Sequence, residues 1–171
     1  MRTIGVLLCA ALALSGCATL GLGGPKRPVA LERPPFPADE YAELARRVGS
    51  GAVYGQVIMR TQYGPRFGAG EEVLLNPVTS YSSFWYENKI VAKRELRDPD
   101  PRQDAHILIA TADGSGSFRF DRVPAGDYYL TSQVRWSEPG HYVGQIYTRV
   151  QTIAERVTVT GGGELRHILT N

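Results

Sequence analysis

From residue 51 onward the chain alternates apolar and polar positions with a period of two, interrupted by Gly, Pro and Asp at short intervals. That pattern constrains the fold more than any other feature. Successive strand side chains point to opposite faces, so a period of two places one set in a core and the other outside. Val53, Gly55, Val57 and Met59 form one such set, with Tyr54, Gln56, Ile58 and Arg60 between them. Val73 and Leu75 continue the alternation up to Pro77. Phe118 and Phe120 alternate with Ser117, Arg119 and Asp121, and Tyr128, Leu130, Ser132 and Val134 with Tyr129, Thr131, Gln133 and Arg135. His106 to Ala110, Tyr142 to Val150, Ile153 to Thr160 and Leu165 to Leu169 supply further β-rich runs. Turn chemistry separates them at Asp113-Gly114-Ser115-Gly116, Val123-Pro124-Ala125-Gly126, Pro139-Gly140 and Gly161-Gly162-Gly163. Short strands roughly ten residues apart indicate a sandwich.

Two segments break the period. Tyr41, Leu44, Ala45 and Val48 fall at i, i+3, i+4 and i+7, the stripe of a short helix over Ala38–Val48 that docks on the domain edge. Asp39, Glu40 and Glu43 lie early in it and Arg46 and Arg47 late, as the helix dipole prefers. The aromatic run Tyr81, Phe84, Trp85 and Tyr86 favours a second short helix within Ser80–Lys93. Arg97 to Asp104 has two Asp-Pro steps and no apolar residue, which predicts an exposed loop.

Thr111 to Phe120, followed by Val123-Pro124-Ala125-Gly126-Asp127-Tyr128-Tyr129-Leu130, resembles the signature of carboxypeptidase regulatory-like domains. The shared elements are Asp-Gly, an aromatic pair two apart, a Pro-x-Gly turn and a tyrosine strand. Gly51 to Val57 is similar to their opening strand. The resemblance implies an all-β fold over 50–171: a seven-stranded, antiparallel Greek-key sandwich of the transthyretin-like type. The stretch Glu71 to Arg94 departs from the pattern as an insertion. The signature is scaffold logic and predicts fold rather than activity.

The N-terminus has a separate purpose. Arg2 precedes an uncharged apolar run, Ile4 to Leu14, too short to cross a bilayer as a helix. Leu14-Ser15-Gly16-Cys17 then resembles the lipobox of bacterial lipoproteins. The resemblance implies a signal peptide over 1–16, cleavage before Cys17, and acylation of its sulfur. Ser15 and Gly16 are small enough for a narrow protease groove, and Cys17 is the nucleophile. Several acyl chains anchor firmly, each buried methylene contributing roughly 0.8 kcal/mol. Cys9 would leave with the signal, so no disulfide is expected. Residues 17–37 read as a tether, with Gly21, Gly23 and Gly24 for flexibility and five prolines for extension. Alanine at 18 implies the outer membrane, facing the periplasm, over the inner one.

The formal net charge of +2 gives no field for nucleic acid. His106, His141 and His167 stand alone, without the paired spacing that zinc needs. Gly114-Ser115-Gly116-Ser117 is out of frame for a nucleophile elbow. Asp113, Asp121 and Asp127 suit turns better than a calcium loop. No catalytic residue, metal or cofactor is expected. The aromatics remain: Trp85, Trp136 and Tyr142 are the candidate contacts with a ligand or partner. The leading expectation is a non-catalytic envelope lipoprotein whose sandwich engages an unidentified protein partner. The alternative is a glycan- or small-ligand-binding lipoprotein that uses exposed aromatics.

Overall fold

The computed structural model describes residues 29–171. The signal segment, Cys17 and the first part of the tether lie outside the described residues. Helix α1 (Ala38–Ala45) precedes three strands, β1 (Gly51–Thr61), β2 (Gly64–Phe67) and β3 (Glu72–Pro77). Helix α2 (Ser80–Trp85) runs directly into a π-helical turn, Tyr86–Val91, and a 3₁₀ turn follows at Pro101–His106. The remaining strands are β4 (Leu108–Thr111), β5 (Ser117–Val123), β6 (Gly126–Pro139), β7 (Ile146–Val159) and β8 (Glu164–Leu169).

Two four-stranded sheets face each other. In the first, β1 pairs antiparallel with β2 and β5 and parallel with β8. The second has the order β4-β3-β6-β7, antiparallel throughout. The all-β sandwich agrees with the sequence, but it has eight strands rather than seven, and the β1–β8 pair is parallel. The stretch read as an insertion also contributes a structural strand. β3 lies between β4 and β6, so only the helical part of 71–94 is additional to the sheets.

The inward sets meet between the sheets. Val53, Val57, Val73, Leu75, Val123, Leu130, Val134 and Leu169 are fully buried, with Met59, Phe118, Phe120 and Tyr128 nearly so. Each large apolar side chain taken from water contributes roughly 1.5–3 kcal/mol. The two phenylalanines meet edge to face, 5.9 Å between centroids. Tight turns hold this layer. One Asp113 carboxylate oxygen accepts from the backbone N–H of Ser115 at 2.8 Å and of Ser117 at 2.9 Å. Gly116 takes a φ of +80°, which only glycine adopts cheaply. Tyr128 reaches back and donates its hydroxyl to Pro124 O at 2.8 Å.

Elsewhere local spacing and packing part company. α1 ends at Ala45; Tyr41 alone of the stripe is buried, and Val48 is 89% exposed. Tertiary contact outweighs periodicity in so short a helix. Residues 29–37, the end of the expected tether, lie on the domain. Leu31 bridges to Leu96, Phe36 stacks on Tyr41 at 4.5 Å, and Arg33 Nε donates to Arg97 O at 2.8 Å. Arg97–Asp104 is not simply an exposed loop, since it contains most of the 3₁₀ turn and buries Gln103.

Candidate functional site

The outer face of the second sheet carries the even-numbered β3 residues Leu74 and Asn76 and the odd-numbered β6 residues Tyr129, Thr131 and Gln133, opposite in parity to the core set. A solvated sheet would leave such a face open. Here α2 and the π turn lie across it. The N-terminus of α2 is set by a reciprocal cap: Ser82 N–H donates to Thr79 Oγ1 at 3.1 Å, and Thr79 N–H to Ser82 Oγ at 2.9 Å. Glu40 of α1 accepts from Ser80 N–H at 2.8 Å, so the two helices hold each other.

The helix is fastened to the sheet through Tyr129. Its hydroxyl donates to Ser83 Oγ at 3.1 Å, and its ring stacks on Tyr86 at 4.4 Å and 14°. Trp85 meets the same ring edge-on at 6.1 Å. The π turn, a form frequent at functional sites, then brings Lys89 and Ile90 to the same wall as Trp85.

Between helix and sheet lie two adjoining cavities that share Leu74, Trp85 and Thr131. The larger, about 480 Å³, is also lined by Gly70, Glu71, Glu72, Lys89, Ile90, Gln133 and Thr152. The smaller, about 280 Å³, is completed by Asn76, Gln103, Ile107, Pro99 and Arg33. Together they make a groove with an indole at its middle. Charges of both signs line its walls, so no net field selects a polyanion or polycation.

Among the described residues, three buried side-chain oxygens have no hydrogen-bond partner: Asn76 Oδ1, Thr131 Oγ1 and Thr170 Oγ1. Two of the three are on residues that line this groove, and the oxygens themselves are closed off from it. An unpaired buried oxygen costs about 1–3 kcal/mol.

The structure does not unite the three candidate aromatics. Trp85 sits in the groove. Trp136 is on the opposite, inward face of β6, packed on the core, with its indole N–H donated to Glu138 at 3.2 Å. Tyr142 stands 77% exposed at the tip of the β6–β7 hairpin. Leu74, Asn76, Thr131 and Gln103 escaped the sequence reading. The only signal for three of them was their outward parity, which ordinarily means solvent.

No group of three or more His, Cys, Asp or Glu side chains able to hold a metal occurs among the described residues. None of the described helices is long and apolar enough to cross a membrane.

A two-sheet β-sandwich with a covered, aromatic-lined groove on one outer face thus defines the class. No family model matches the chain, and no curated protein matches it. Among solved structures, a "putative carbohydrate binding protein" from Pseudomonas aeruginosa superposes with a TM-score of 0.71 at 33% identity, covering 81% of this chain and 99% of that one. The chain belongs to the same family as that Pseudomonas protein. A minor pilin of Streptococcus agalactiae is 16% identical over 73% of this chain and 45% of its own, with a TM-score of 0.38, too remote to bear on the fold.

Proposed function

We propose that the domain is a carbohydrate-binding module whose site is the Trp85 groove. The observation that carries this reading is the Trp85 indole on the shared wall of two adjoining cavities whose other walls mix apolar residues with the polar residues Asn76, Gln103, Thr131 and Gln133. Sugars present weakly apolar C–H faces and a ring of hydroxyls. They are bound where an aromatic face meets fixed donors and acceptors in a concave site. The mixed charge of the walls suits a neutral ligand. The Pseudomonas relative, described as a carbohydrate binder, supports the same class. Binding the purified domain to an immobilised glycan array, beside Trp85→Ala, tests this. Retention of one glycan class by wild type and its loss in the variant supports the reading; an array without signal removes it.

Acylation at Cys17 belongs to the same proposal. The lipid would hold the protein at the outer membrane, facing the periplasm. Radiolabelled palmitate incorporation in wild type and not in Cys17→Ser checks it.

A second reading, engagement of a protein partner, is favoured by the β6–β7 hairpin, whose end carries exposed Tyr142, Val143 and Ile146. Crosslinking in intact cells through a photoreactive residue at 143 tests it. A defined envelope protein, lost in Tyr142→Ser/Ile146→Ser, is the expected product, and no crosslink is the contrary result.

A further inference from the structure

We propose that the tip of the β6–β7 hairpin, formed by Tyr142, Val143 and Ile146, sits in the interfacial layer of a lipid bilayer; this rests on the acylation of Cys17 proposed above. The hairpin outruns its sheet. β3 accompanies β6 only as far as Ser132, and from Gln133 to Pro139 β6 pairs with β7 alone. Every β7 residue from Ile146 to Gln151, whichever way it faces, is exposed. At the end of the arm Val143 is fully exposed and Ile146 71% exposed, beside Tyr142. An apolar cluster left open in this way marks a contact surface.

Its chemistry selects the occupant. The ten residues 139–148 include no Asp, Glu, Lys or Arg. The first charges below the tip, Glu138 and Arg149, are paired with each other at 2.6 Å. Taking the tip out of water therefore strips no ion of its hydration. Tyr142 and Tyr147 each join an apolar ring to a polar hydroxyl, the combination enriched where acyl chains meet headgroups. The turn backbone is partly satisfied from within, as an apolar medium requires. Gly140 N–H donates to Gln145 O at 2.7 Å, Gln145 N–H donates to Tyr142 O at 3.0 Å, and Pro139 has no N–H to lose. Protein hot spots under-represent valine and draw on arginine. Here valine is at the apex, and the nearest arginine, Arg149, is already engaged.

The course of the chain turns this tip towards the anchor. Phe36 packs on Tyr41 and Tyr81, close to where Val78 N–H donates to Asp127 O at the start of β6. Leu31 lies farther along the helical layer. Its N–H donates to Glu95 O, and the neighbouring Arg94 N–H donates to Asn88 O. Lys89 and Ile90, which follow Asn88, share a cavity wall with Val150, Gln151 and Thr152 of β7. Those three pair with Arg135, Val134 and Gln133, at the base of the projecting arm. From Phe36 back to Leu31 the chain thus moves towards the hairpin tip and away from the Gly161-Gly162-Gly163 turn, which follows the end of β7 paired with Gly126. A lipid attached upstream presents the tip to the bilayer.

The test uses the acylated full chain in proteoliposomes of phosphatidylethanolamine and phosphatidylglycerol. Val143→Cys carries an environment-sensitive fluorophore, and Gly161→Cys carries the same probe at the opposite end. The expected result is a blue shift at 143 and quenching by lipids brominated in the acyl chain, with neither at 161. Tyr142→Ser/Ile146→Ser in the Val143→Cys background should abolish both signals, which separates the pull of the tip from that of the probe. A silent probe at 143 on acylated, vesicle-bound protein overturns the tip contact and leaves acylation intact. Equal quenching at 143 and 161 also overturns it. A silent probe together with a protein crosslink from 143 in cells assigns the tip to a protein partner instead. Absence of palmitate from the wild-type chain overturns acylation and the tip contact together.

Discussion

The Trp85 indole meets the ring of Tyr129 edge-on, 6.1 Å between centroids at 68°, while Tyr86 stacks flat against it at 4.4 Å. One tyrosine on a sheet face thus orients the side chain that divides the groove. Tyr129→Leu keeps an apolar contact but removes both the ring and the hydroxyl bond to Ser83. Aromatic pairs contribute about 0.5–1.5 kcal/mol beyond their burial. The expected outcome is weaker sugar binding with a smaller change in melting temperature, since the inter-sheet core lies on the opposite face. Parallel calorimetry and thermal denaturation check this.

The cap of α2 has a related consequence. Thr79→Ala removes the side-chain oxygen that accepts from Ser82 N–H and donates to Ser82 Oγ, and leaves the bond from the residue 79 N–H to Ser82 Oγ in place. Loss of such a cap costs about 0.5–2 kcal/mol. Local opening should be concentrated in Ser80–Val91, and amide exchange there should accelerate more than in β3 or β6. Uniform acceleration throughout the domain would show that the helix is an integral part of the fold and not a layer placed upon it.

Gly55 permits close approach of β1 and β8. A Cβ at this position would lie 1.6 Å from His167 O, a backbone atom that cannot swing aside. Gly55→Ala should therefore destabilise by at least the 1–3 kcal/mol, approximately, of ordinary overpacking. Urea denaturation measures it. A variant as stable as wild type would contradict the β1–β8 pairing.

Acid should loosen the hairpin turn and the 3₁₀ segment. The Ser115 hydroxyl and the backbone N–H groups of Ser117 and Ser115 hold the Asp113 carboxyl below its ordinary 3.8. Arg102 holds Asp100 down to about 2. Both groups favour the folded state when ionised, so their contribution is present above the ordinary carboxylate range. It is lost as the pH falls through their lowered values. Melting temperature should drop between pH 4 and pH 2, approximately, and more shallowly in Asp113→Asn and Asp100→Asn. A variant with the same acid slope as wild type would contradict the assignment for that residue.

These residues also show what was legible in the sequence. Val53, Val57, Phe118, Phe120, Tyr128 and Leu130 announce their inward face because alternation and turn chemistry agree locally. The sandwich follows from them. The groove does not, because its floor residues Asn76 and Thr131 alternate as solvent-facing positions do, and only the fold places a helix above them. Gln103, in a segment without apolar residues, is buried by neighbours distant in sequence. Val73 and Leu75 marked β3 as a strand, but its place between β4 and β6 was not legible, because a strand's neighbours in a sheet are set by its partners. Trp136 and Trp85 were equal candidates by composition; parity and the helical cover separate them.

The most direct test uses the chain's having only two tryptophans. In Trp136→Phe, Trp85 is the sole indole reporter. Titration with a panel of neutral oligosaccharides should give a saturable change in Trp85 emission with at least one sugar. An unresponsive Trp85 across the panel, with the protein folded, would contradict the assignment of the groove as a carbohydrate site.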